Sequence, residues 1–288
     1  TIHSGSSILA NSTDVGNGGK IAVWSEEHSI VGGIIEARGG AIGGNGGLIE
    51  TSGKLGLNIS LGTRVNASAP EGNVGTWLLD PPGISIEILG SLASPFTQTA
   101  ITNTVDPNDI LNTLALGTNV TLTTLTSVPA FPDPIAIPAL NRDIEVNAAL
   151  SMSTLSHTLP ATLTLQSAGG IIVNQQIGGL GVPIGIVMNA TGGDIEIASG
   201  SGGIFLKDIT ATASGAILVN DSLSADDSLV LTASSGSVSG TGSLTASTFN
   251  LTGSTGVSSG PLSGGTLHAI SANGGIILGG TLNLLGNI

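Results

Sequence analysis

Three apolar runs, each led by glycine, recur at a fixed interval near the start of the chain. They are Gly18-Gly19-Lys20-Ile21-Ala22-Val23-Trp24, Gly46-Gly47-Leu48-Ile49-Glu50-Thr51 and Val74-Gly75-Thr76-Trp77-Leu78-Leu79, and they set Ile21, Ile49 and Trp77 at equal intervals of 28 positions. A constant period of this length marks a repeat architecture in which each coil buries its apolar face against the next. Glycine recurs too densely here for a helix to survive. The runs are short and rich in β-branched residues, as expected of parallel strands buried inside a stack.

Between these runs, further strands are expected at Ser29 to Ala37, Lys54 to Ser60 and Arg64 to Ser68. Gly39-Gly40, Gly43-Gly44-Asn45-Gly46-Gly47 and Gly62 separate them. Glycine supplies positive φ at corners and lets neighbouring backbones approach closely.

The rhythm then breaks. Eight of the twelve prolines lie between Pro81 and Pro138, and proline has no N–H to give a ladder. Within this stretch a short helix is expected at 107–116. Asp106 caps it, Pro107 takes the first helical position, Ile110, Leu111 and Leu114 share a face, and Gly117 closes it. Strands are expected at Val120 to Leu125 and Ile135 to Ile137, with a loop over Pro129–Pro138. From Arg142 the rhythm returns with shorter coils. Strand-like pieces lie at 144–146, 163–165, 171–173, 184–188, 195–197, 204–206 and 217–219. Val238, Val257 and Ile276 are 19 apart, as are Leu251 and Ile270, while Leu231 precedes Leu251 by 20. Each of these last coils is expected to carry three short strands. The expected organisation is one all-β parallel solenoid in three parts. Wide coils of about 28 residues fill 1–81. A proline-rich interruption with one helix fills 82–141. Narrow coils of about 19–20 residues fill 142–288.

Composition narrows the function. Only 9% of the 288 residues are charged and the net charge is −13. Such a surface repels phosphate backbones and anionic lipid, so nucleic-acid binding is not expected. No apolar run is long enough for a membrane helix, so no membrane insertion is expected. The absence of cysteine removes disulfides and thiolate zinc. Thr1-Ile2-His3 carries no leader pattern and the C-terminal end stops in mid-pattern, so the chain reads as a segment of a longer secreted protein.

Taken in order, Gly18–Trp24, Ile35-Glu36-Ala37-Arg38-Gly39-Gly40, Gly44-Asn45-Gly46-Gly47-Leu48-Ile49-Glu50-Thr51-Ser52-Gly53, Asn66-Ala67-Ser68-Ala69-Pro70 and Gly75-Thr76-Trp77-Leu78-Leu79-Asp80-Pro81 resemble large exoproteins of the filamentous haemagglutinin type. Later segments such as Arg142-Asp143-Ile144-Glu145-Val146-Asn147-Ala148 resemble them only in texture. The resemblance implies a right-handed parallel β-helix, export by two-partner secretion through an outer-membrane partner, and a place outside or on the outer surface of a Gram-negative bacterium. It implies adhesion or assembly, and does not imply an active site.

The residues themselves offer little chemistry. Glu26-Glu27-His28 and Asp226-Asp227 are the acidic pairs, and both are expected at solvated corners between strands. The six basic residues, Lys20, Arg38, Lys54, Arg64, Arg142 and Lys207, are too scattered to hold a polyanion for a lyase. His3, His28, His157 and His268 have no metal-ligand spacing. Gly43–Gly47 lacks the aspartate of a calcium repeat and is followed by neither the Lys-Ser/Thr nor the helix of a phosphate loop. No G-x-S-x-G elbow is present. No cofactor is therefore expected. Trp77, in register with Ile21 and Ile49, is expected inside. Trp24 falls out of phase and is expected outside, as a residue for contact with a partner. The reading is a non-enzymatic adhesin stalk or structural solenoid that meets a host-cell, glycan or matrix surface. The alternatives are a fibre joined end to end with other copies, and a polysaccharide lyase or hydrolase on the same fold.

Overall fold

The computed structural model describes residues 1–88, 103–125, 142–279 and 282–284. The expected strand at Ile135 to Ile137 and the loop at Pro129–Pro138 lie outside the described residues. The chain divides into two compact units, one of Thr1–Asp143 with Ala161–Thr164 and one of Ile144–Pro160 with Leu165–Ile288.

The first unit begins with β1 (Ser7–Leu9), β2 (Lys20–Val23), β3 (His28–Val31) and β4 (Ile34–Glu36). The next coil repeats them as β5 (Leu48–Ser52), β6 (Gly56–Ile59) and β7 (Arg64–Asn66), and β8 (Thr76–Asp80) and β9 (Ile84–Ile86) follow. After β10 (Thr104–Val105) and the helix α1 (Pro107–Ala115) comes β11 (Asn119–Thr123). The expected stack is present: Ile21 pairs with Ile49 and Ile49 with Trp77 in parallel register, and Val120 continues the rank beside Trp77. All four are buried. The alternation of β8, with Trp77 and Leu79 buried between half-buried neighbours, is the period of two that puts one face of a strand inside. Two parallel ladders complete the coils, β1-β4-β7 and β3-β6.

One expected strand divides. Ser29 to Ala37 forms β3 and β4 separately, because the chain turns at Gly33, which has φ +85°. That left-handed conformation costs glycine little and a β-branched residue much. The helix forms as its caps dictate: the Asp106 carboxylate accepts from the Asn108 N–H at 2.9 Å. It packs on β7 and β11, burying Ile110 and Leu114.

The second unit contains β12 (Ile144–Val146), β13 (Leu150–Ser151), β14 (Ala161–Ser167), of which the last three residues fall in it, β15 (Ile171–Val173), β16 (Ile177–Gly178) and β17 (Ile184–Ala190). It continues with β18 (Ile195–Ile197), β19 (Ile204–Ala213), β20 (Ile217–Val219), β21 (Leu223–Ala233) and β22 (Val238–Ser239). Then come β23 (Leu244–Gly253), β24 (Val257–Ser259), β25 (Leu262–Ser271), β26 (Ile276–Leu278) and β27 (Leu282–Leu284). One parallel sheet runs β12-β15-β18-β20-β22-β24-β26, and another runs β17-β19-β21-β23-β25-β27. Every pairing registered in either unit is parallel, so the fold class is the expected parallel β-solenoid.

Coil length in this unit falls gradually and reaches the expected tight spacing in the last coils. The first sheet aligns Ile144, Ile171, Ile195, Ile217, Val238, Val257 and Ile276, at successive steps of 27, 24, 22, 21, 19 and 19 positions. The second aligns Ile186, Ile209, Leu229, Phe249 and Leu267. All of the shortening lies on one arc. It runs from Ile171 to Ile186, then Ile195 to Ile209, Ile217 to Leu229, Val238 to Phe249 and Val257 to Leu267, and closes up from coil to coil. The return arcs, such as Ile186 to Ile195 and Leu267 to Ile276, stay nearly constant.

Two further expectations are corrected. Leu251 pairs with Ala269, and Ile270 pairs with Thr252. Phe249 pairs with Leu267 at a step one position shorter than the expected spacing of 19, so that spacing slips the register by one. The slip turns Ile270 outward, where it is 44% exposed. The last coils also carry two strands each. Two expected strands merge into one long strand, as in β21, which bends at a register shift between Ser224 and Ser228.

Candidate functional site

Among the described residues of the first unit, an open depression of about 470 Å³ is lined by the starts of β2, β5 and β8 and the residues just before them. Its floor is bare backbone. A Cβ on Gly46 would collide with the carbonyl oxygen of Ala67, and one on Gly75 with that of Gly47. Glycine is required there by the adjoining backbone, and the by-product is a surface without side chains.

An asparagine ladder flanks that floor. The Asn45 N–H donates to Asn17 Oδ1 at 2.8 Å, and the Asn73 N–H donates to Asn45 Oδ1 at 2.9 Å. These bonds fix the carboxamide oxygens of Asn17 and Asn45 on the next coil and leave their –NH2 ends as donors. Lys20, Leu48 and Thr76 form a registered rank beside the floor. The lining carries one ammonium, that of Lys20, and no carboxylate, within a chain of net charge −13.

Trp24 lies just beyond β2 and is 55% exposed, whereas Trp77 is fully buried, as the phase of the pattern required. The Trp77 indole N–H donates to Thr51 Oγ1 at 3.0 Å inside the stack.

The acidic pairs are tied into the stacking. Lys54 Nζ meets a Glu26 carboxylate oxygen at 2.8 Å, and Lys207 Nζ meets Asp227 at 3.5 Å. Each ion pair joins residues one coil apart, and at exposed positions such pairs contribute about 1 kcal/mol or less. Asp226 and Asp227, expected between strands, lie within β21 at its register shift, where both side chains point to solvent. Among the described residues no three His, Asp or Glu side chains converge on a point. His157 is buried, with Nδ1 2.9 Å from Ser156 Oγ. Among the described residues no helix is long and apolar enough to cross a membrane.

One buried acid escapes the pattern. Asp109 is 1% exposed, and its Oδ1 accepts from the Gly62 N–H at 3.1 Å. Burial first, and the neighbouring Asp106 carboxylate second, push it up to about 7, against the pull of the Gly62 and Thr63 N–H groups. In sequence it looks like an ordinary first-turn helix acid. Its cover, the turn at Gly62, is 47 residues away. Asp221 goes the other way. Burial raises it, but hydrogen bonds from the N–H groups of Ser222, Gly202 and Gly200 and from Ser201 outweigh that and hold it below the usual carboxylate range.

Comparison with protein-family models and with curated protein sequences gave no match.

Proposed function

We propose that this chain is a non-enzymatic segment of a secreted bacterial surface exoprotein, in which the solenoid serves as an adhesin stalk or structural spacer. The observation that carries the reading is the register of the wide coils. Among the residues through which the sequence resembles the haemagglutinin-type exoproteins are ones that stack coil on coil: Ile21, Ile49 and Trp77 inside, and Asn45 at the corner, where it bonds to Asn17 and Asn73 of the neighbouring coils. These contacts run to neighbouring coils, and a repeat of this kind extends by adding units along one axis. Export through an outer-membrane partner and an extracellular location follow from the same resemblance. Trp24 supports the adhesive side: an indole 55% exposed offers a large, rigid contact at low entropic cost.

The test is retention under flow. Beads coated with the purified chain are expected to hold to cultured cells or to a matrix layer better than beads coated with an unrelated acidic protein, and Trp24→Ala is expected to lower retention. Equal retention of both bead types on every surface would refute the adhesive reading. Release of reducing ends from a polysaccharide panel would refute the non-enzymatic one.

A further inference from the structure

We propose that the glycine-floored depression on the first unit is a binding groove for a linear, neutral polysaccharide lying along the stacking direction. The inference rests on the adhesive reading and names the class of surface molecule it would meet.

Three observations converge. The first is shape: the depression runs across three successive coils, and its floor has no side chains to hold a ligand away from the backbone. The second is polarity. Asn17 and Asn45 line the groove and Asn73 continues the ladder. Because the Oδ1 atoms of Asn17 and Asn45 are committed along it at 2.8 and 2.9 Å, their –NH2 groups remain as donors. Neither these –NH2 groups nor the Lys20 ammonium has a partner among the described residues, and no acidic side chain lines the groove. A donor-rich surface selects a ligand rich in acceptor oxygens, as sugar hydroxyl, ring and acetamido oxygens are. The third is repeat length. Donors recur once per coil at ~4.8 Å, close to one sugar unit of an extended β-linked chain, so successive sugars would meet equivalent groups. Polyanions fit less well, since one ammonium stands against a chain of net charge −13.

The experiment uses the full chain and three linear hexasaccharides as probes, built from glucose, N-acetylglucosamine and xylose, with a hexauronate as the anionic comparison. Binding is read by titration calorimetry. Asn45→Asp keeps the oxygen that accepts from Asn73 and removes the donor, so the ladder and the circular dichroism spectrum should persist. Asn273→Asp adds the same charge on the second unit. Binding of at least one neutral hexasaccharide is expected, about tenfold weaker with Asn45→Asp, as the loss of a well-placed hydrogen bond gives, and unchanged with Asn273→Asp. No binding of any neutral probe, equal binding by Asn45→Asp, or preference for the hexauronate would overturn the proposal. Bead retention that is sound and insensitive to Asn45→Asp would remove the groove and leave the adhesive reading standing.

Discussion

Replacing Asp109 with asparagine should remove a pH dependence built into the docking of α1. Asp109 is buried, with Oδ2 unpartnered and Oδ1 on the Gly62 N–H. The charge acting on it is Asp106, on the same helix. From the turn between β6 and β7 it meets the N–H groups of Gly62 and Thr63. One pH unit of displacement is worth about 1.4 kcal/mol, so a rise from 3.8 to about 7 sets about 4 kcal/mol against the ionised form. The sign follows from proton binding. With the folded value raised, the folded state holds the extra proton between pH 3.8 and about 7, so this group's contribution to stability grows as pH falls through that window. Between pH 8 and pH 5 the gain is about 3 kcal/mol. Asparagine keeps an oxygen for Gly62 and carries no charge at either pH. Asp109→Asn is therefore expected to be more stable than the native chain at pH 8, by about 3–4 kcal/mol, and to lose most of that advantage at pH 5. Because stacked coils need not unfold as one unit, the readout is local: hydrogen exchange of the Gly62 amide and of α1, comparing the two proteins at matched pH. Equal protection at both pH values, or weaker protection in Asp109→Asn at pH 8, would refute the reasoning.

Other positions give sharper yes-or-no outcomes. Gly46→Ala should destabilise the first unit by about 3 kcal/mol, because its Cβ meets the Ala67 carbonyl, while Gly43→Ala, with open space around it, should be near neutral; chemical denaturation separates the two. Thr51→Val strips the acceptor from the buried Trp77 indole and should cost about 1–3 kcal/mol, read by fluorescence in a Trp24→Phe background. Asp221, held low by its hydrogen bonds, contributes stability at neutral pH that is lost as pH falls through its folded value. Asp221→Asn should therefore weaken amide protection at Gly202 and Ser222 at pH 7 and lessen its fall in acid.

The inside of the solenoid was legible because it is written locally. Ile21, Ile49 and Trp77 announce their register by spacing alone, and the cap residues Asp106 and Pro107 announce α1. What escaped depends on distant chain. The turn at Gly62 decides that Asp109 is buried, and no pattern within α1 encodes it. The one-residue slip that exposes Ile270 arises because the step from Phe249 to Leu267 on one sheet is one position shorter than the step from Val257 to Ile276 on the other, which a single period cannot express. The depression has no signature in Gly43–Gly47, whose glycines read equally as corners between strands. Its donors arise from the hydrogen bonds that join each asparagine to its counterpart one coil away.

The uneven arcs of the second unit bear on where a coil can change its length. Between Ile171 and Leu267 one arc loses a third of its length while the sheets on either side hold register. From coil to coil that arc accommodates different lengths, whereas the return arc keeps its own. The variable arc is thus the part of each coil open to experiment, by mutation or by design: a decoration grafted there leaves the neighbouring coils in step, and one grafted on the return arc throws them out of phase.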